Sequence, residues 1–461
     1  MRSRGGIAHV LGVSTLGVIA APAAWAEPPA DEPPPGNADE IATVDTEAPP
    51  GPPGPRERPT EEPAPEETAE PPEWFGGKPF LDWSRLTGDW AGGRTRLEDR
   101  GVTLEATYTL DWTGVWSGGL SNRASTRTVF DVNATFDLEK LFGLDGAGVF
   151  VDFYSTDMRG GSRDVGDFMG VSSIESDKNL DVIGEAWYQQ WLFDKHLRVK
   201  LGKIEGTAEF ASVNASEDFL GTGAGFLYTI TGFPTYPDPA FGAVVFGYPT
   251  DWLYVGGGVF DGAALDGFPT GTRGPKTFLS DDDSSSWFTI GEIGVTWKEL
   301  CGMGAGRACV GVSHHSGTLV RFDGTDQHGA TSVYLMAEQQ LCVREGSTEE
   351  DPRGLFCWLQ YGRADGDVSE IRDQFGVGVV QRGICTARPD DAAGVFFGWA
   401  GLTDDPDAGF AEDEYALELV YRVQVTPAVV VRPDLQFIFN PGGDETVDDA
   451  VVGGLRVELT F

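Results

Sequence analysis

Hydrophobic and polar residues alternate with a period of two along most of the chain. Between residues 102 and 112, Val, Leu, Ala, Tyr, Leu and Trp alternate with Thr, Glu, Thr, Thr and Asp. This pattern predicts a β-strand with one apolar face and one polar face. Similar, though often less regular, alternation occurs in segments 128–138, 147–157, 182–193, 196–204, 240–248, 252–261, 287–297, 309–317, 331–343, 356–363, 375–381, 394–402, 414–425, 428–440 and 450–461. The sequence therefore predicts sixteen strands.

The links between these strands alternate in places between short and long. Residues 194–195, 249–251 and 426–427 form tight links, whereas 158–181, 205–239 and 262–286 are long and rich in Gly, Asp and Ser. An up-and-down membrane barrel produces this rhythm. A soluble β-sandwich would also alternate but would not give one run of sixteen strands, and no 40-residue repeat marks a propeller. We predict an all-β chain: a 16-stranded antiparallel transmembrane β-barrel over residues 102–461, with a short N-terminal periplasmic helix.

The first 101 residues divide into three segments that differ in composition. Residues 1–26 have a basic start, an apolar stretch and a small-residue cleavage pattern at 24–26, which predicts a secretory signal peptide. Residues 27–72 hold 15 of the 29 prolines and 13 acidic residues, which favours a disordered acidic tether. Residues 73–101 form the periplasmic helical segment, in which Asp89 is a candidate N-cap and Gly101 a candidate C′ residue.

The net negative charge and mild hydropathy of the chain do not argue against a membrane β-barrel. The chain has 33 Lys and Arg against 72 Asp and Glu, a formal charge of −39, and a mean hydropathy of −0.20. These values argue against a helical membrane bundle and a nucleic-acid partner. They are compatible with a barrel, because its mean hydropathy averages apolar lipid-facing residues with polar water-facing ones. Without residues 1–72 the chain still carries −30. The acidity leaves a general cation-preferring diffusion porin as an alternative.

Aromatic residues in or at the ends of the strands strengthen the membrane interpretation. Barrels carry aromatic girdles at both membrane interfaces. The candidate girdle residues are Tyr108, Trp112, Trp187, Tyr188, Trp191, Trp252, Tyr254, Trp287, Trp297, Trp358, Tyr415 and Tyr421.

Two segments carry a resemblance to a known family. Residues 86–102, LTGDWAGGRTRLEDRGV, resemble the N-terminal signature of the OprB family of carbohydrate-selective porins, and residues 432–443, RPDLQFIFNPGG, resemble its last strands. Shorter matches at 185–189, 201–203 and 334–339 follow in the family's order. The resemblance implies an outer-membrane channel for monosaccharides and other small solutes, whose terminal Phe461 is read by the outer-membrane assembly machinery. The link 205–239 resembles the family's inward-folded loop but has no basic residue.

Polar residues on the lumen phase of the strands are the candidate sugar contacts. Sugars are neutral polyols, so a selective channel needs donors, acceptors and flat apolar surfaces, which Arg, carboxylates and Trp supply. These contacts must stay weak enough for the solute to leave. The alternative is that these groups pair with one another in a water-filled lumen. The candidate substrate-binding residues are Glu185, Trp187, Gln189, Arg198, Lys200, Glu418, Arg422, Arg432, Asp434, Gln436, Arg456 and Glu458.

The sequence offers no enzymatic motif, cofactor site or metal site. His314 and His315 are adjacent in a strand and hence on opposite faces, which disfavours a shared metal. Acidic runs at 281–283 and 404–405 are more typical of solvated loops than of Ca²⁺ sites. Five cysteines lie near the predicted periplasmic turns, an oxidising compartment. Their spacing predicts hairpin-local disulfides between Cys301 and Cys309 and between Cys342 and Cys357, with Cys385 left over.

These observations predict a non-enzymatic outer-membrane channel for passive uptake of carbohydrates, glucose among them. Its expected partners are outer-membrane lipid, small sugars and the assembly machinery. An envelope-tethering structural protein, whose segment 27–72 binds the cell wall, is a further alternative.

Overall fold

A computed structural model describes residues 72–461 except 159, 177, 263–264, 266–285 and 349–351. The predicted signal peptide and all but the last residue of the predicted tether lie outside the described residues. Among the described residues, no α-helix is long and apolar enough to cross a bilayer.

Sixteen antiparallel strands form one closed barrel, in which each strand pairs with its sequence neighbours and the first pairs with the last. The strands are β1 Val102–Ser117, β2 Ala124–Asp137, β3 Ala147–Met158, β4 Asp181–Leu192, β5 Leu197–Ile204, β6 Ala240–Thr250, β7 Leu253–Asp261, β8 Trp287–Trp297, β9 Gly306–Val320, β10 Asp326–Val343, β11 Gly354–Arg363, β12 Ile371–Arg382, β13 Ala392–Leu402, β14 Glu414–Thr426, β15 Val429–Phe439 and β16 Ala450–Thr460. All sixteen predicted strands are confirmed, although several extend beyond their predicted ends.

The alternation along each strand separates an apolar outer face from an inner face that carries the polar and charged side chains of the wall together with buried apolar ones. In β5, Leu201 is 51% exposed while its neighbour Lys200 is 6% exposed. Large apolar side chains remain exposed on the outer face of successive strands, among them Phe153, Val245, Val259, Ile293, Val310, Val333, Val379, Val395 and Leu419. A continuous apolar band of this kind is the surface that a barrel presents to lipid.

Short helical segments lie outside the barrel wall. A 3₁₀ turn, Phe80–Asp82, and helix α1, Gly93–Asp99, precede β1, and helices α2, Leu138–Phe142, and α3, Ser162–Val165, lie in links. The predicted N-cap is wrong, because α1 begins after Gly92 in the left-handed region. Asp89 instead accepts hydrogen bonds from the backbone and hydroxyl of Thr95. Gly101, with φ of 92°, adopts the left-handed conformation predicted after the helix end.

The end of the barrel that carries α1 and Phe461 is called the α1 end. Leu86 N donates to Thr460 O at 2.8 Å and Phe461 N to Ala106 O at 2.8 Å, so the N-terminal segment and the last residue are tied to this rim. The tight links 193–196, 251–252 and 427–428 also lie at this end.

Two long links from the opposite end fold into the lumen. The first inward loop comprises residues 160–180 except 177, and the second comprises residues 205–239. Apolar side chains of the second loop, such as Phe210, Leu220 and Phe226, are almost fully buried and pack against wall residues that include Trp358 and Phe396. The lumen is therefore largely filled by packed chain.

Some of the predicted girdle residues face the lumen instead. Trp252 and Trp287 are each 56% exposed on the outside, as a girdle requires, but Tyr254 and Trp358 are 4% and 1% exposed. Trp358 Nε1 donates to Ala224 O of the second loop at 3.0 Å. The girdle prediction is wrong for these two and for Trp187, which lies inside beside Lys200. Period two alone does not decide which phase of a strand with apolar residues on both faces points inward.

Candidate functional site: the lumen and its inward loops

Wall side chains hold the backbone of the second inward loop. Gln374 of β12 donates to Phe226 O and accepts from Tyr228 N, both at 2.8 Å. Peptide groups carried into a lumen lose their water and need such partners. Further contacts of the same kind are Glu292 with Ala211 N, Glu338 with Asn214 N and Ala215 N, Gln360 with Gly223 O, and Glu418 with Leu220 N and Gly221 N.

The first inward loop is anchored in the same way. Glu414 of β14 accepts from Phe168 N and Met169 N at 2.8 and 2.9 Å. Gln436 of β15 donates to Val171 O at 2.9 Å. The two loops also bond to each other, since Gly223 N donates to Met169 O at 3.0 Å.

Acidic side chains of the second loop pair with basic side chains of the wall. Glu209 forms ion pairs with Arg198 and Lys200 of β5. Asp218 Oδ2 lies 2.9 Å from Arg382 Nε. The guanidinium of Arg198 also lies over the ring of Phe246, 4.9 Å from its centroid. The loop that carries no basic residue therefore meets a wall that supplies them.

These pairs set the ionisation of the loop carboxylates. Burial alone would raise the pKa of Asp218, but Arg382, Arg432 and Arg422 hold it below its usual value. Burial likewise opposes ionisation of Glu209, and Lys200 and Arg198 lower its pKa in the same way. A carboxylate whose folded pKa is depressed stabilises the fold above its unfolded pKa, and that contribution is lost as the pH falls through the folded value.

A cavity of about 300 Å³ opens at the α1 end. It lies next to the second inward loop, because two of its lining residues, Arg382 and Arg422, approach Asp218 of that loop. Arg353 Nη2 lies 2.7 Å from Asp390 Oδ1, and Arg422 donates to Asp390 O at 2.9 Å and to Gln424 Oε1 at 2.6 Å. The cavity is lined by Arg353, Arg382, Gly383, Pro389, Asp390, Arg422, Gln424 and Pro427. It therefore presents guanidinium and amide donors beside carboxylate and carbonyl acceptors.

The twelve predicted sugar contacts lie on the lumen phase of their strands, but most are engaged by protein groups. Glu185, Arg198, Lys200, Glu418, Arg432 and Gln436 contact the inward loops. Arg456 forms a bidentate pair with Asp111, Asp434 accepts from Gln436, and Glu458 pairs with Arg432. Trp187 stacks on Phe150, and Gln189 lies opposite Lys200 in the register. Arg422 alone among the twelve lines the cavity, and a role in sugar binding stays a prediction for all of them.

The sequence reasoning missed the other lining residues and several loop anchors. Arg353, Asp390 and Gln424 come from strand ends and links, which the lumen-phase argument did not consider. Gln360 and Gln374 could have been found, because both are polar residues on the inner phase of otherwise apolar strands.

The remaining chemical candidates have structural roles or none. His314 is exposed and His315 buried, on opposite faces as predicted. Asp404 pairs with Arg372 and is exposed, while residues 281–283 lie outside the described residues. Within the described ranges, no three His, Cys, Asp or Glu side chains are grouped to hold a metal ion.

All five cysteines are free thiols in the structure. Cys342 lies opposite Leu355 and Cys357 opposite Gln339 in the register, so neither predicted disulfide is formed here. Oxidation to the two predicted pairs stays a prediction that nonreducing mass mapping can test.

The sequence was compared with known families and proteins. Residues 121–461 match the family described as carbohydrate-selective porin, OprB family. Porin B of Pseudomonas aeruginosa is 23% identical over 422 residues, which cover 82% of this chain and 91% of that protein. The putative porin QuiX of Acinetobacter baylyi is 24% identical over 428 residues, which cover 82% of this chain and 94% of that protein.

The fold was compared with solved structures. The high-pH structure of Pseudomonas putida OprB matches with a TM-score of 0.73 and 21% identity, over 83% of this chain and all of that one. The low-pH structure of the same protein matches with a TM-score of 0.54 and 19% identity, over 82% of this chain and 99% of that one. At these identities the likeness concerns the barrel fold alone.

Proposed function

The chain belongs to the OprB family of carbohydrate-selective porins, and on that premise we propose that sugars cross its barrel by way of the cavity at the α1 end. The protein is an outer-membrane β-barrel channel for passive carbohydrate uptake. Its apolar outer band contacts lipid, and the α1 end, with its tight links, is the periplasmic end.

One observation carries the proposal: the cavity combines three arginines with an amide and a carboxylate. Arg353, Arg382 and Arg422 present fixed N–H donors, whereas Asp390 and Gln424 supply acceptors. Neighbouring hydroxyl groups of a pyranose both donate and accept, so such a set can bind them without a charged ligand. We infer no covalent step: the protein groups exchange hydrogen bonds with the sugar as it moves.

Passage requires each contact to be weak. The arginines already pair with Asp390, Asp218 or Gln424, so a sugar hydroxyl exchanges one hydrogen bond for another. Such exchange has a small net free energy, which lets the solute leave again. The crowded lumen supports selectivity by size, because the two inward loops occupy its centre.

The two alternative functions, a cation-preferring pore and an envelope-tethering protein, have less support than sugar transport. The folded part is acidic overall, but three arginines and one aspartate line the cavity, so the acidity is not concentrated where a cation-preferring pore would need it. The envelope-tethering alternative depends on residues 27–72, all but the last of which lie outside the described residues.

Substitution of Arg422 tests the proposal. Arg422→Met keeps the bulk of the side chain and removes its donors to the cavity. Loss of about 1 kcal/mol of hydrogen bonding would weaken glucose binding about fivefold. Planar-bilayer recordings with increasing glucose should therefore show a half-blocking concentration about fivefold higher than that of the wild type, and liposome swelling should change in the same direction.

Arg321→Met is the matched control. Arg321 is a half-buried arginine in the link between β9 and β10 at the opposite end, where it pairs with Asp367 at 3.8 Å and donates to Gln327 at 2.8 Å. Its removal should leave glucose block unchanged. Equal block in the wild type and the Arg422→Met variant would contradict the role of the cavity, and wild-type protein that forms no channel would contradict the function.

A further inference from the structure

Four half-buried aromatic side chains lie on the inner face of β3, β4 and β6 near the α1 end. Phe150 stacks on Trp187 with ring centroids 5.0 Å apart, and the ring of Trp191 lies 5.5 Å from that of Tyr248. Arg198, which is paired with the second inward loop, lies over the ring of Trp191 at 5.9 Å. Trp191 therefore faces the lumen too, although the sequence placed it in the girdle. The aromatic patch is defined as Phe150, Trp187, Trp191 and Tyr248.

Three polar groups in this part of the wall have no protein partner. Among the described residues, none donates to or accepts from the side-chain amide of Gln189, the Nε1 of Trp191 or the hydroxyl of Tyr248. None of these three groups is sealed off from water. Most other polar side chains of the inner wall are committed, as Trp187 is through its Nε1, which donates to Glu185 at 3.1 Å. The patch therefore keeps hydrogen-bonding groups available to a solute.

Open space adjoins Gln189, which lies between the two ring pairs along β4. Gly148 of β3 lies opposite Gln189 in the register. A Cβ at Gly148 would meet one atom within 4 Å, the backbone oxygen of Phe136 at 3.6 Å. The wall thus carries no side chain at this point, and the stacked rings of Phe150 and Trp187 border the gap. A solute in the gap can contact the amide and a ring at the same time.

We propose that the aromatic patch and Gln189 form a second sugar subsite, which binds the pyranose ring. Aromatic side chains such as Tyr and Trp combine an apolar face with a polar edge, and a pyranose presents C–H groups on its faces and hydroxyls around its rim. Trp191 and Tyr248 contact the C–H face, while the amide of Gln189 donates to and accepts from the hydroxyls. The subsite rests on the proposed function, and it names the feature of the substrate that the channel reads, a closed sugar ring.

The two subsites lie on opposite walls of the barrel at the same end. The patch belongs to β3, β4 and β6, whereas the cavity is lined by β12, β14 and the links beside them, and β4 and β12 are eight positions apart in the closed ring of sixteen strands. The guanidinium groups of the cavity can bind hydroxyls of a ring or of an open chain. The patch adds contact only for a solute with an apolar face, so the two together favour ring sugars over acyclic polyols.

Glucose and sorbitol test the subsite in planar-bilayer recordings of the full-length channel. Sorbitol has as many carbon atoms as glucose but no ring. Trp191→Leu removes one aromatic ring and its N–H, so the half-blocking concentration of glucose should rise about threefold while that of sorbitol stays unchanged. Trp191→Phe keeps a ring and should restore most of the glucose block.

Trp252→Leu is the matched control, because Trp252 is 56% exposed on the outside of the barrel at the same end. It should leave glucose block as in the wild type. Tyr248→Phe removes only the hydroxyl, which holds no described protein group, so it should fold normally and raise the half-blocking glucose concentration about twofold. This variant decides the question if Trp191→Leu does not insert into the bilayer.

Two results would overturn the subsite. One is wild-type glucose block in both Trp191→Leu and Tyr248→Phe. The other is an equal change in glucose and sorbitol block, because the ring would then set only the width of the lumen. Failure of the subsite alone would leave the effect of Arg422→Met on glucose block intact, whereas a wild-type channel that glucose does not block would contradict the proposed function as well.

Discussion

At the scale of single residues, the lumen is organised by buried pairs of opposite charge. Arg456 donates from Nε and Nη2 to the two oxygens of Asp111 at 2.7 and 2.8 Å, and both side chains are nearly inaccessible to water. Ser172 and Ser173 complete the hydrogen bonding of the pair. Each side chain needs the other as its counter-charge, because water reaches neither of them.

Breaking this pair should destabilise the barrel strongly. Arg456→Met leaves Asp111 buried without a counter-charge, a loss of about 3–5 kcal/mol. The double variant Asp111→Leu with Arg456→Met removes both charges and should recover most of the loss. Urea unfolding in lipid vesicles measures the free energy of each; equal stability of the single and double variants would contradict the coupling.

At the scale of elements, the inward loops depend on hydrogen bonds from side chains of the wall. Glu338 of β10 accepts from Asn214 N and Ala215 N and pairs with Arg307 at 3.1 Å. The apolar face of the second loop provides burial, whereas contacts of this type fix its position. A single inward side chain of a strand can thus affect the width of the channel, because it fixes the position of the loop inside.

Loss of the Glu338 carboxylate should loosen the second inward loop. Glu338→Ala removes about 2 kcal/mol of anchoring, which raises the population of a displaced loop about thirtyfold. Single-channel recordings should show higher and noisier conductance than the wild type. Glu299→Ala, at an exposed acidic position in the link between β8 and β9, serves as the control and should leave the conductance unchanged.

At the scale of the whole molecule, the barrel forms a complete hydrogen-bonded cylinder from residue 102 onward. The segment from Glu73 to Gly101 is held at the rim by contacts such as Leu86 N with Thr460 O. The acidic segment 27–72 therefore joins a barrel whose closure does not require it.

Deletion of residues 27–72 separates the channel from any tethering role. We expect glucose block and liposome swelling to match the wild type, because the cavity lining lies wholly within residues 353–427. Loss of envelope attachment alone, seen as outer-membrane blebbing in cells, would support the tether hypothesis. A loss of swelling with folded protein would contradict the independence of the barrel.

The sequence predicts the strands of the barrel wall, but it does not predict how the two inward loops pack inside the barrel. Period two identified all sixteen strands, and placed Arg198 and Lys200 inside and Leu201 outside, because each strand faces two solvents of opposite polarity. It could not tell that Glu418 would hold a loop, since that depends on where a link some 200 residues away packs. Trp358 was misplaced because period two does not decide which phase of its strand faces inward, and its inner partner, Ala224, lies in the same link.

The pairing of β1 with β16 has a consequence for the order of assembly. Tyr108 lies opposite Leu459 and Asp111 opposite Arg456, so the last contact joins residues 345 positions apart. Closing so long a loop has the largest entropic cost of any strand pairing in the chain, which makes it slow. The cylinder can therefore close only once β16 is in place, and until then β1 and the last strand to have paired each present an open edge that favours pairing with another chain.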